Sequence, residues 1–289
     1  MKIQKPIFIV GIGRSGSTLF HRLFCKHPQV AWLSVLCEFF PSKPWLNKVY
    51  LKIIDYPLIP NVFNPIIKPQ ECYRFWEYYN KGFRRPFRDL VAEDVTVNTK
   101  KRITAALSAI HTKKRKRLVA KVTGWPRIRY LLELFPDAQF IHVVRDPRAV
   151  VYSIINMDWW WGWRGPQNWR WGELDASQKK EWDKYNRSFI ALAAMECKII
   201  DQALGVARDY LNSDHFLEIT YEDLCAAPQT IFEKATHFCG LQMSKKFSKM
   251  IGQKSIHSAN YKWKEEFTSA QKIMLNDILQ DYLTRYGYL

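Results

Sequence analysis

The sequence predicts an α/β fold of three layers, a central parallel sheet flanked by helices, built as a single domain over residues 1–289. Three observations carry that expectation. An apolar run at 7–10 leads into a glycine-rich turn and then a helical stretch, a strand-turn-helix start. A strand at 118–122, a helix at 127–135 and a strand at 139–144 alternate as β-α-β, which asks for parallel strands joined by right-handed crossovers. The 289 residues suffice for one large core, or at most two small ones.

Taken in order, the first strand feeds helix 18–26, which stops at His27-Pro28 because a residue before proline avoids the helical region. A second apolar segment, 30–36, ends near Glu38. Residues 39–87 are rich in proline and aromatics, among them Trp45, Tyr50, Tyr56, Phe63, Tyr73 and Trp76, and with 88–117 they read as an insertion over the sheet, 39–117. Within it, helix 103–110 precedes the basic run Lys113-Lys114-Arg115-Lys116-Arg117. After strand 139–144, Pro147 falls early in the next helix, where its missing N–H costs little. The tract 158–172 sets Trp159, Trp160, Trp161, Trp163, Trp169 and Trp171 among glycines and a proline, and reads as a loop. A long amphipathic helix, 177–204, precedes strand 215–220. Tyr221-Glu222-Asp223-Leu224 then turns into a helix from near Pro228 to near Gly240, and helix 269–286 ends the chain.

Composition narrows the function classes. With 44 Lys and Arg against 27 Asp and Glu, a net charge of +17, the chain suits an anionic partner: a multiply charged nucleotide, an acidic acceptor or a membrane surface. Nucleic acid is not expected, because neither zinc-ligand spacing nor a nucleic-acid-binding signature accompanies the charge. The six cysteines lack C-x-x-C spacing and the density of a disulfide scaffold, so reduced structural thiols are expected. No signal-peptide order opens the chain and no apolar run reaches bilayer length, which predicts a cytoplasmic protein.

The chemistry concentrates in Gly11-Ile12-Gly13-Arg14-Ser15-Gly16-Ser17-Thr18. A turn of this kind bares backbone N–H groups at a helix N-terminus, where a phosphate is favoured. The string satisfies G-x-G-x-x-G, the dinucleotide fingerprint, with Glu38 roughly where a ribose-binding acid belongs. It also satisfies the P-loop pattern, except that Ser17 occupies the lysine position that would reach β- and γ-phosphates. A third class of ligand accommodates both departures: a nucleotide with a 5′ diphosphate-like group and no γ-phosphate, with Arg14 along the bridging and transferring groups. A further phosphate then suits Arg145, at the end of strand 139–144, and Ser153, eight residues later on the following helix.

These residues resemble the sulfotransferase family, whose donor is 3′-phosphoadenosine-5′-phosphosulfate (PAPS). Arg14-Ser15-Gly16-Ser17-Thr18 is similar to its 5′-phosphosulfate loop, in the arginine form of tyrosylprotein, carbohydrate and many bacterial members, and Arg145 with Ser153 matches its 3′-phosphate pair. The resemblance implies a P-loop-like fold, PAPS as co-substrate, adenosine 3′,5′-bisphosphate as product, and no metal. It also implies that Lys121 is a catalytic lysine, that Glu38 is the general base, and that Lys262-Trp263 closes over the nucleotide. Met157 departs from the pattern, standing where tyrosylprotein members carry another arginine.

The function expected is transfer of a sulfonate to a hydroxyl or amine by in-line displacement, with Arg14 and Lys121 as cations on the leaving bridge oxygen. The acceptor is a small molecule, glycan, lipid or phenol, met by the insertion 39–117 and by the tryptophan tract, whose flat rings suit stacking or contact with an anionic membrane surface. His21 and His27, nearer the loop, compete with Glu38 for the role of base. A P-loop nucleotide kinase or NTP hydrolase, or a non-catalytic nucleotide- or anion-binding module, remains the alternative.

Overall fold

A computed structural model describes residues 3–56, 67–85, 87–169 and 172–289, so Phe63 and Trp171 lie outside the described residues. Five strands form one parallel sheet in the order β2-β3-β1-β4-β5: β1 (Ile7–Val10), β2 (Val30–Trp32), β3 (Arg117–Lys121), β4 (Gln139–Val144) and β5 (Phe216–Thr220). β1 lies at the centre, with Ile7 opposite Val119 of β3 on one side and Gln139 of β4 on the other. Every residue of β1 and β4 is buried, as strands covered on both faces must be.

Helices α1 (Ser17–Phe24), α2 (Val35–Phe39), α3 (Trp45–Ile53), α4 (Tyr73–Tyr79) and α5 (Val97–Ser108) precede β3. Between β3 and β5 come α6 (Ile128–Leu134), α7 (Pro147–Ile155), α8 (Ala176–Lys184) and α9 (Phe189–Arg208). The chain ends with α10 (Tyr221–Ala226), α11 (Pro228–Phe238), α12 (Lys245–Gly252), α13 (Lys262–Glu266), α14 (Ser269–Ile278) and α15 (Gln280–Arg285). One packing group joins α1 to α11 through Phe20 stacked on Phe232 at 5.0 Å; another seats Phe8 of β1 against Trp76 of α4 and Phe140 of β4.

Several elements differ from their sequence expectation: the helix expected at 103–110 runs over Val97–Ser108, and the turn at Tyr221 is the start of α10. The apolar segment 30–36 is a short strand followed by α2, because the Ser34 hydroxyl accepts from the Leu36 N–H and caps a new helix that carries Glu38. Helix 177–204 is two helices, broken where Asn186 and Arg187 both take a φ of 52°, and restarted by the Ser188 cap. Helix 269–286 likewise divides at Leu279. The six thiols are free, and burial pushes Cys37 and Cys239 up to about 12.

Candidate active site

Ligands of open parallel sheets bind beyond the carboxyl ends of the strands, and here the ends of β1, β3, β4 and β5 converge. After β1 the chain must turn tightly between β4 and α10. Gly11 has a φ of 140° and Gly16 of 91°; a Cβ on Gly16 would lie 2.4 Å from the Tyr221 ring, so only glycine fits. Gly16 caps α1 without a side-chain hydrogen bond, which leaves the first-turn N–H groups to a ligand. Beside them the Ser15 hydroxyl is buried with no partner among the described residues. A buried donor without a partner is costly, and a phosphate oxygen would satisfy it.

The two anion motifs meet in space. Arg14 Nε donates to Ser153 Oγ of α7 at 3.0 Å, and Arg145 Nη1 donates to the Arg14 carbonyl at 3.0 Å. Arg145 is itself held from three sides. Its Nε donates to Asn260 Oδ1 at 2.8 Å, its guanidinium lies 4.3 Å over the Tyr221 ring, and its carbonyl accepts from Tyr282. Burial lowers its pKa from the usual guanidinium range, yet it remains a cation aimed at the loop. Glu222 braces the same corner, accepting from the Asp146 N–H, the Asn260 amide and the Tyr288 hydroxyl.

At the end of β3, Lys121 is buried and its Nζ donates to Thr18 Oγ1 at 2.6 Å, so it stands over the loop beside the position that Ser17 leaves uncharged. Glu71 pairs with it at 2.9 Å and also accepts from Thr123. A cleft of about 490 Å³ opens here, lined by Gly13, Arg14, Thr18, Lys121, Glu38 and Glu71, by the aromatics Tyr73, Phe87, Trp125 and Trp159, and by Arg84 and Arg85. A smaller cleft of about 280 Å³ shares Thr18, Glu38, Glu71, Tyr73 and Lys121 as its wall. Glu38 is half-buried, with Oε2 accepting from the Arg74 N–H at 3.1 Å.

The histidines lie elsewhere. His21 is enclosed in the interior, both ring nitrogens lack partners among the described residues, and burial with Lys121 and Arg22 nearby pushes its pKa well down. His27 is buried with Nε2 against the Gln242 carbonyl. Neither lines the two clefts. Trp263 turns inward, packed at 4.4 Å against Arg148, which Asp146 holds in place, while Lys262 is exposed. Asn260, two residues before Lys262, makes the contact with Arg145.

The tryptophan tract divides. Trp160 and Trp169 belong to the core, with Trp160 Nε1 donating to the buried Glu196 of α9. Trp159 lines the cleft, and Trp161 and Trp163 are exposed with Arg164 stacked on both rings. Sequence reasoning missed Glu71 and Asn260. Glu71 sits among prolines and aromatics with no motif around it, whereas the nearby Lys262-Trp263 pair pointed to the segment that contains Asn260.

Comparison with known proteins bears on the family and the fold. Residues 6–245 match the family model described as "Sulfotransferase family". The chain is 25% identical over 313 residues to ω-hydroxy-β-dihydromenaquinone-9 sulfotransferase Stf3 of Mycobacterium tuberculosis and of Mycobacterium bovis, covering 98% of this chain and 75% of each relative. Among solved structures it resembles sulfotransferase STF9 from Mycobacterium avium (TM-score 0.62, 16% identity, 99% of this chain and 77% of that one). The sulfotransferase domain from the curacin biosynthetic pathway gives a TM-score of 0.54 at 14% identity, covering 98% of both chains. The family match, which runs from the first strand past β5, identifies this chain as a member of the sulfotransferase family, an enzyme that transfers a sulfonate group.

Proposed function

We propose that this enzyme takes its sulfonate from PAPS and passes it, by in-line displacement and without a metal, to a hydroxyl or amine of a small acceptor with a flat or lipidic body. The observation that supports this donor is the joining of Arg14 to Ser153 and Arg145, which brings the residues suited to a 5′-side and a 3′-side anion together across one loop. The α1 N-terminus with Ser15, Ser17 and Thr18 would hold the 5′-phosphate, and Arg145 and Ser153 the 3′-phosphate. Lys262 and Trp263 belong to the same end of the site, with Asn260 as their link to Arg145.

For the chemistry, the acceptor oxygen forms a bond to sulfur while the bond from sulfur to the bridging oxygen breaks. Glu38 takes the acceptor proton, and Arg14 and Lys121 stabilise the charge gathering on the leaving oxygen. Tyr73, Phe87, Trp125 and Trp159 give the cleft flat apolar walls. The Stf3 relatives are named for a hydroxylated menaquinone, which suits walls of this kind. The free thiols fit a reducing compartment such as the cytoplasm.

Calorimetric titration tests the donor. Adenosine 3′,5′-bisphosphate should bind with or without magnesium, ATP should bind far more weakly, and Arg145→Ala should abolish bisphosphate binding. A preference for Mg-ATP would overturn the proposal.

A further inference from the structure

The segment between Glu38 and β3 presents an outer face that the site does not use. α3 turns Asn47, Tyr50 and Leu51 into the core, yet it leaves Trp45, Val49 and Ile53 outward at 54, 45 and 37% exposure. Their i, i+4, i+8 spacing makes one stripe along the helix. Phe39 and Phe40, a few residues earlier in the chain and next to Glu38, which lines the cleft, are 63 and 48% exposed. A surface helix that is apolar on its outer face as well as its inner one is built to meet a second apolar phase.

Cations border the stripe. Arg115 is buried and grips Asp55, just past α3, at 2.8 to 3.1 Å, with Lys114 Nζ 3.8 Å from the same carboxylate. That clamp fixes the basic run at the C-terminal end of the stripe and leaves Lys113, Lys114 and Lys116 exposed. Lys52 on the helix and Lys43 just before it are exposed too.

We infer that this face docks on an anionic lipid bilayer, with the α3 stripe at the acyl boundary and the lysines among headgroup phosphates. Its use rests on the proposal that the neighbouring cleft takes an apolar acceptor, which the bilayer would present. A second copy of the chain fits the face poorly, because a two-fold contact would bring the two lysine borders together.

Co-sedimentation with vesicles, in the absence of nucleotide, tests the docking separately from the sulfotransferase chemistry. The full chain should pellet with phosphatidylcholine vesicles containing about one-third phosphatidylglycerol and not with phosphatidylcholine alone. Lys113→Gln/Lys114→Gln/Lys116→Gln should weaken partition by about a hundredfold, at roughly tenfold or less for each lysine. Trp45→Gln/Val49→Gln/Ile53→Gln, which keeps helix-forming residues on a surface face, should abolish it while bisphosphate titration remains that of the wild type. The inference fails if the wild type stays in the supernatant or if the stripe variant pellets equally well. It fails also if light scattering finds a wild-type dimer that the stripe variant turns into a monomer.

Discussion

Lys121 Nζ stands 2.6 Å from Thr18 Oγ1, so the cation that the loop lacks at Ser17 is supplied from the end of β3. Its partner Glu71 is largely buried with it. A buried ion pair seldom adds net stability, since desolvation offsets the attraction, so its value lies in where it holds the charge. Glu38 differs in kind: it contacts the backbone N–H of Arg74 and lines the cleft, a placement suited to exchanging a proton. The two side chains are therefore expected to fail differently. In transfer assays with a PAPS donor, Glu38→Gln should leave bisphosphate binding intact and lower turnover by about two orders of magnitude or more. Lys121→Ala should lower turnover by about 10²- to 10³-fold and also weaken binding, because the charge proposed to face the leaving oxygen is lost. Unchanged turnover in Glu38→Gln would place the base elsewhere.

The β2–α2 turn, which leads into the helix that carries Glu38, is held by a buried amide. Asn47 of α3 accepts from the Ser34 N–H at 3.0 Å and donates to the Trp32 carbonyl at 2.8 Å, and the Cys72 thiol donates to the Ser34 carbonyl. Asn47→Ala would strand two buried backbone groups, and chemical denaturation should show a loss of about 2–4 kcal/mol. Turnover should fall with it as α2 loses its anchor, whereas bisphosphate affinity, proposed to rest chiefly on the phosphate loop, Arg145 and Ser153, should hold. The strands and the phosphate loop were legible in the sequence because apolar runs and glycine turns are local signals. The helix breaks were not, since Asn186 and Arg187 adopt left-handed backbone inside an unbroken amphipathic pattern. Glu71 and Asn260 were illegible for another reason: they act on Lys121 and Arg145 across 50 and 115 residues of chain, distances that no periodicity reports.

At the scale of the whole molecule, the proposed donor site ties the first strand to the last residues described. Arg14 follows β1, Arg145 lies just before α7 and Ser153 near its far end, Asn260 precedes α13, and Tyr288 reaches Glu222 from the last residues of the chain. Without an anion, the excess positive charge of the chain includes Arg14 and Arg145 held close together, and each would gain from a shared negative partner. A bisphosphate should therefore stabilise the entire fold and not only the loop. Bound at a hundred times its dissociation constant, a ligand specific for the native state adds about 2.7 kcal/mol. For a chain of this size that corresponds to a rise in Tm of roughly 5 °C, by scanning calorimetry, in a single cooperative transition. Arg145→Ala should unfold close to the wild-type temperature without ligand, because its removal relieves repulsion as well as contacts, yet gain almost nothing from the bisphosphate. If the ligand instead splits the transition in two, the halves of the site belong to separate folding units, and the single domain expected from the sequence would be wrong.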